Sequence, residues 1–334
     1  MPELVERNQV GKREDLSDVI SVVDARTTPL TTMAPKGKEL VNSLFDWQAD
    51  KFPEPTFAGV VDNQDVTSFE NAAADRAKLS GRIQIFERKP KVSRLAENVS
   101  DVAGVGRRKE MARAVAKMTT MVKRDMESAF CSDQDSQEDN GVVGYRTRGL
   151  GVWIQNAAQT DLPVNANYRT PAGSINSTAL ASLTETLVQD VLESVYGETG
   201  TIKNMILLCG RKLKRKFTEF TQFQPGVSAT VGTLRTYNQD LNGKKIVATV
   251  DFFEGDFGSL ELHPSEFLAK DQAAAAQQRR GYVLDMELLE IRYNERPNFR
   301  SLEDQGGGPR GIVQSIAALS VTNPLGLGKF NATS

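Results

Sequence analysis

The sequence predicts an α+β protein, and three observations carry that expectation. One stretch, 106–131, reads as an unbroken amphipathic helix. Short runs such as 81–86, 205–210 and 244–253 have the alternation or the apolar density of strands. Between these lie long segments too poor in apolar residues to close a core of their own. The pattern is helices and strands in separate blocks rather than a regular β-α-β alternation.

The helix is the organising element. Met111, Val115, Met118, Val122, Met126 and Phe130 recur at steps of three and four, one stripe of a 3.6-residue period. No proline or glycine follows Gly106, and Ala, Met, Lys, Arg and Glu favour the helix. At about 1.5 Å per residue such a rod is roughly 39 Å long. Its polar side is basic: Arg107, Arg108, Lys109, Arg113, Lys117, Lys123 and Arg124 face only Glu110 before Asp125. Arg113 and Lys117, four apart, repel each other. The side is either a solvated face over a core or a rigid flank that meets acidic surface on another subunit.

Taken in order, residues 1–28 read as an extended polar arm. In 28–55, Leu40, Leu44 and Trp47 fall at helical steps, predicting a short helix ended by Pro53 and Pro55. Residues 57–93 are expected to form a long two-stranded excursion, each limb roughly 40 Å at about 3.3 Å per residue. An isolated hairpin of that kind is marginal in water and needs another surface to lie on. After the long helix, Asp133, Asp135, Glu138 and Asp139 form an acidic run that reads as a solvated turn. Its spacing does not fit a calcium loop. In RTRGLGVWIQ (146–155), Gly149 and Gly151 bracket a tight backbone approach, without the strand and helix context of a phosphate loop.

Residues 176–278 read as a compact α/β unit. Leu180, Leu183, Leu187, Val191 and Val195 mark a helix starting near Ser177 or Thr178, and 205–210 a buried strand. RKLKRKFTEF (211–220) is basic with Phe217 and Phe220 interleaved. That is a solvated helix face by preference and a nucleic-acid patch as the alternative. The strand at 244–253 follows an Asn242-Gly243 turn. GYVLDMELLEIRYNERP (281–297) reads as one long strand closed by Pro297, Gly306–Pro309 as a turn, and Ile312, Val313, Ile316, Leu319 and Val321 as a final strand beside the long helix.

Composition excludes several classes. The 334 residues are 39% hydrophobic and 25% charged with net charge −2, so nothing draws the whole chain to nucleic acid or an anionic membrane. No apolar run spans a bilayer, and the first 18 residues lack the apolar core of a signal peptide. Cys131 and Cys209 are far apart, as befits free thiols in a reducing cytoplasm, which leaves the sequons at Asn98, Asn176 and Asn331 without meaning. His263, the one histidine, precedes Pro264 and reads as structural. With no GxSxG, no P-loop and three Cys or His in all, no catalytic residue, metal or cofactor is expected.

With these pieces placed, the order of segments resembles the tailed-phage major capsid proteins of the Hong Kong 97 type. TPLTTMAPKGKELVNSLFDWQAD, GRIQIFERKPKVS, KRDMESAF, RTRGLGVWI, DFGSLELHPSEF and GYVLDMELLEIRYNERPNFRSLED are similar to one branch of that family, in the same order along nearly the whole chain. The resemblance implies an N-terminal arm (1–50), an extended hairpin loop (51–100), a spine helix (104–131) with the first part of a peripheral domain (101–175), an axial domain (176–278) and the second peripheral part (279–334). It implies a non-enzymatic shell protein in a virion, self-assembling in the host cytoplasm as hexamers and pentamers around double-stranded DNA, with portal, scaffolding and decoration proteins as partners. Members with a built-in scaffold carry a long charged helical extension before the arm. This chain starts almost at the arm, which implies a separate scaffold or none and gives no sign of maturation cleavage. Candidate intersubunit contacts are Arg82, Arg88, Arg107, Arg108, Arg113 and Lys117 against Asp133, Asp135, Glu138 and Asp139. The alternatives are an encapsulin-like compartment shell, or a nucleic-acid-binding module using 107–124 and 211–220.

Overall fold

The computed structural model describes residues 27–53, 55–63, 65–67, 69–71, 73–99, 109–220, 250–268 and 279–331. Arg107 and Arg108, the 1–26 part of the arm and most of the 244–253 strand lie outside them.

The long helix is α3, Glu110–Phe130, 21 residues and so about 32 Å, and the short α2 (Arg94–Val99) precedes it. Its expected stripe is graded: Val122, Met126 and Phe130 are fully buried, while Val115 and Met118 are half-buried at the edge of the same core. It packs on a three-stranded antiparallel sheet in the order β3 (Gln84–Arg88), β10 (Arg310–Val321), β9 (Leu289–Leu302). Phe130 meets Phe86 edge to face at 6.0 Å. Thus the strand expected beside the helix is there, as β10.

Glu127 sits on the buried stripe of α3, a position periodicity would give to an apolar residue. Its two carboxylate oxygens accept the Leu30 and Thr31 N–H groups at 2.9 and 2.7 Å. These are first-turn donors of α1 (Pro29–Met33), which have no partner inside their own helix. The segment 28–55 is therefore not a helix around Leu40 and Trp47. After α1 it becomes β1, Leu44–Ala49, in which Phe45, Trp47 and Ala49 turn inward. Two-residue alternation wins because Trp47 has a ready-made slot, against Trp153 at 5.8 Å and under Arg292.

Burial pushes the Glu127 carboxyl up, opposed by the N–H donors of Thr31 and Leu30. A raised folded-state value means the native protein binds that proton more tightly than the unfolded chain. The stabilisation from this linkage is fully present below the ordinary glutamate value and is lost as pH rises through the raised one. Glu127→Gln is expected to cost about 1–3 kcal/mol, because one of the two N–H donors then faces an amide NH2. The gap to wild type should narrow as pH increases, since glutamine does not titrate. Thermal unfolding of both proteins across pH 5 to 8 checks it.

The expected two-stranded excursion over 57–93 is corrected. β1 pairs antiparallel with β2 (Ala77–Arg82), from Leu44 opposite Arg82 to Ala49 opposite Ala77. These six pairs are a stem of about 20 Å, not two 40 Å limbs. β3 follows after Ile83 and leaves for the other sheet. The stem is tied down: Ala77 and Leu79 are buried, Tyr168 donates to the Asp75 carbonyl at 2.6 Å, and Arg76 bonds Asp50 at 3.1 Å across the neck.

The second body is a six-stranded sheet, β4 (Ile175–Asn176), β11 (Gly328–Asn331), β8 (Arg280–Leu284), β5 (Lys203–Cys209), β7 (Gly258–Pro264), β6 (Phe252–Gly255). Helices α5 (Glu185–Thr199) and α6 (Arg211–Glu219) lie on it. The α5 cap is Thr184, not Ser177 or Thr178: its hydroxyl accepts from Leu187 N, and residues 180–182 form a separate 3-10 turn. The unit read as 176–278 does not close alone. It takes β4, β8 and β11 from its ends and from beyond them, so the chain enters this sheet more than once. The single strand expected over 281–297 is really two, β8 in one sheet and β9 in the other, split by a 3-10 turn at Met286–Leu288. Pro297 does not close β9. It sits where the ladder slips, between Asn298 opposite Gln314 and Glu295 opposite Ile316, so its missing N–H costs no rung.

Candidate assembly surfaces

The acidic run after α3 is split: Asp133 and Asp135 are built into the body, while Glu138 and Asp139 are exposed, as a solvated turn would have them. The half-buried Asp133 pairs with Arg280, and lies 3.7 Å from the Lys329 ammonium. Lys329 also donates to the Gly151 carbonyl at 2.9 Å. Both cations are nearly sealed, at 4% and 9% side-chain exposure, and burial pushes the Lys329 ammonium down, against the attraction of Asp133. Asp135 takes Arg148 at 2.9 Å and the Thr160 N–H at 2.8 Å. Arg148 is buried, donates to the carbonyls of Asp161 and Leu162, and stacks 4.6 Å over Trp153. Burial pushes its guanidinium down, and Asp135 opposes that.

Gly149 and Gly151 make this possible, as their tight approach suggested. A Cβ on Gly149 would overlap the Ser132 carbonyl, and one on Gly151 would overlap the Asp133 carboxylate. Here α4 (Leu150–Trp153), wholly buried, abuts the end of α3. Gly151→Ala is expected to displace Asp133 from its two cations and lower stability by about 2 kcal/mol or more. A urea titration would read the shift in midpoint.

Of the ten expected contact residues, most find partners inside the chain. Glu138 pairs with Arg82 at 3.0 Å, and Arg82 also with Asp161 at 2.9 Å. Arg88 grips Asp125 with two bonds of 2.6 and 2.7 Å, while Asp139 accepts from the Gly141 N–H. Three of the acids expected to meet the basic flank of a neighbouring helix, Asp133, Asp135 and Glu138, have partners among Arg82, Arg148, Arg280 and Lys329 of their own subunit. Arg113 and Lys117 remain exposed on α3, with no ion pair among the described residues. Both thiols are buried, and burial pushes them well up, Cys209 to about 12, so neither is a nucleophile. His263 Nε2 lies 2.9 Å from a Glu261 carboxylate oxygen. In α6, Phe217 is buried against Phe253 and Phe330, a core residue and not a platform for bases.

The prominent unsatisfied surface is the loop beyond the β1–β2 stem. Every described residue from Asp50 to Ala74 is exposed. Among them are Phe52 at 95%, Phe57 at 98%, Val60 at 83% and Phe69 at 91%. Isolated exposed apolar residues are ordinary, but this many on one segment without secondary structure marks an interaction surface. No helix among the described residues is long and apolar enough to cross a membrane.

The sequence profile of the SU10 major capsid protein family matches residues 5–334. The chain belongs to that family. It is a phage shell protein of the virion, not an enzyme, and its subunits assemble into the capsid. Solved structures agree on the fold. The capsid of a native GTA particle matches at 14% identity and TM-score 0.62, over 97% of this chain and 96% of that one. The cyanophage Pam1 capsid matches at 11% identity and 0.58, over 99% of both chains. Gordonia phage Cozz matches at 13% identity and 0.58, over 97% and 92%. A comparison with curated proteins finds no match. The architecture is the Hong Kong 97-type capsid fold.

Proposed function

We propose that this SU10-family subunit assembles into hexamers and pentamers of an icosahedral shell around double-stranded DNA. The observation that carries this reading is the 50–76 loop, anchored at its stem and carrying Phe52, Phe57, Val60, Val61, Val66 and Phe69 exposed along it, which gain burial on another copy. The arm (1–50), loop (51–100), spine and first peripheral part (101–175), axial part (176–278) and second peripheral part (279–334) are the working division, with β1 serving as half of the loop stem. Arg113 and Lys117, exposed on α3, are the spine cations that meet a neighbour, and Arg107 and Arg108, outside the described residues, are assigned the same role. A net charge of −2 suits a DNA container, since a strongly basic lumen would hold the genome by counterion release and oppose ejection. Assembly takes place in the host cytoplasm, with a portal and with scaffolding and decoration proteins as further partners.

The test is electron microscopy of particles from phage-infected cells, together with a nuclease-protection assay of their contents. Closed shells of five- and six-fold units holding protected double-stranded DNA are expected. Shells filled with protein would favour the compartment alternative, and a soluble subunit with steeply salt-dependent DNA affinity the nucleic-acid-binding one.

A further inference from the structure

Helices α5 and α6 lie against the same face of the six-stranded sheet and share one core. Val188, Val191, Leu192 and Val195 of α5 and Leu213 and Phe217 of α6 are buried together over Met205, Leu207 and Cys209. Their outward sides carry opposite charge. α5 has four acids and no base; α6 has five bases and one acid. Some of these are used within the chain, as Glu198 with Lys51, Lys214 with Asp251 and Lys216 with Glu219. Asp190 and Glu193 on α5, and Arg211, Lys212 and Arg215 on α6, stay exposed with no ion pair among the described residues.

Each set repels itself. Asp190 and Glu193 are three apart, Lys212 and Arg215 three apart, Arg211 and Arg215 four apart, all neighbours on a helix surface. The α6 cations also crowd the helix N-terminus, where the macrodipole disfavours positive charge, and Gly210 offers no capping side chain. Lys212 and Arg215 border an open groove of about 530 Å3 lined also by Leu180, Ala181, Arg279 and the Lys216–Glu219 pair. The groove is cationic in balance, and the acids that match it stand on the same chain at equal copy number.

We propose that this α6 groove receives the acidic outward side of α5 from the next copy around a ring. The inference rests on the shell reading above. A patch that meets a different patch on the next copy is a heterologous contact, which repeats head to tail and closes when its rotation fits the ring. Charge complementarity of this kind sets register and rate of encounter more than affinity. A nucleic-acid occupant is disfavoured because Phe217 is committed to the core and leaves no aromatic platform beside the cations.

The test is a charge-reversal cycle in the full chain. Lys212→Glu with Arg215→Glu, Asp190→Lys with Glu193→Lys, and all four together are compared with wild type by sedimentation and electron microscopy of assembled particles. Thermal unfolding of each subunit shows that it is folded, and Lys212→Gln with Arg215→Gln supplies a milder variant expected to give an intermediate yield. Each two-site reversal should lower the yield of closed shells by about tenfold, and the four-site variant should restore most of it. Reversals that assemble like wild type, or a four-site variant no better than its parents, would overturn the pairing. So would an α6 reversal that assembles normally but retains less DNA, which points to phosphate as the occupant. If wild type itself forms no shells, the shell reading falls and this contact with it.

Discussion

A subunit lacking residues 55–73, its ends joined by a short Gly-Ser linker, is expected to fold normally and to form no closed shells. The excised tip contributes nothing to either core, since every described residue from 50 to 74 is exposed, while Ala77 and Leu79 of β2 stay in place. Shortening the loop lowers its closure entropy slightly, by about 0.6 kcal/mol per halving, so the melting temperature should hold or rise a little. Assembly should suffer far more. Phe57, Val60, Val61, Val66 and Phe69 would each gain about 1.5–3 kcal/mol on full burial against a neighbour. That gain is set against about 1–2 kcal/mol for each residue ordered. Single contacts are therefore weak, and the shell depends on their repetition. Normal particles from the shortened subunit would contradict this. A cut at 62–80, which an excursion over 57–93 would suggest, removes most of β2 and unfolds the stem instead.

The second large effect is on stability. Asp133→Ala is expected to cost about 3–5 kcal/mol, because it leaves Arg280 and Lys329 sealed in the junction without their carboxylate. A loss of that size lowers the melting temperature by about 4–7 °C in a chain of this length. Asp133→Asn should fall between, keeping shape but not charge. Adding Lys329→Met to Asp133→Ala removes one stranded cation and should recover part of the loss. If Asp133→Ala melts within a degree or two of wild type, the junction is not held by these charges.

The elements visible in the sequence are those whose signal is local. The α3 stripe repeats over twenty residues with nothing to compete, and β10 shows as a run rich in Ile, Val, Leu and Ala once Gly306–Pro309 marks the turn. The tip of the loop is visible as an absence, a long stretch with too few apolar residues to fold alone. The errors come from partners distant in sequence. Leu40, Leu44 and Trp47 have helical spacing, but the slot between Trp153 and Arg292 decides in favour of a strand. Glu127 looks like a surface glutamate and instead holds a helix start 97 positions away. Asp133 and Asp135 read as a solvated turn because Arg280, Lys329 and Arg148 give no local hint of converging there. Arg82, Arg88 and Glu138 likewise have partners within the chain, Asp161 and Glu138 for Arg82 and Asp125 for Arg88, that the sequence does not bring together.

Amide hydrogen exchange, read in the free subunit and again in the assembled shell, tests the central claim most directly. The β2 amides of 77–82 should be protected in both states. Those of 56–71 should exchange freely in the isolated subunit and slow by about a hundredfold or more once shells have formed. Protection of 56–71 already present in the free subunit, or free exchange persisting in the shell, would show that this loop is not completed by a neighbour.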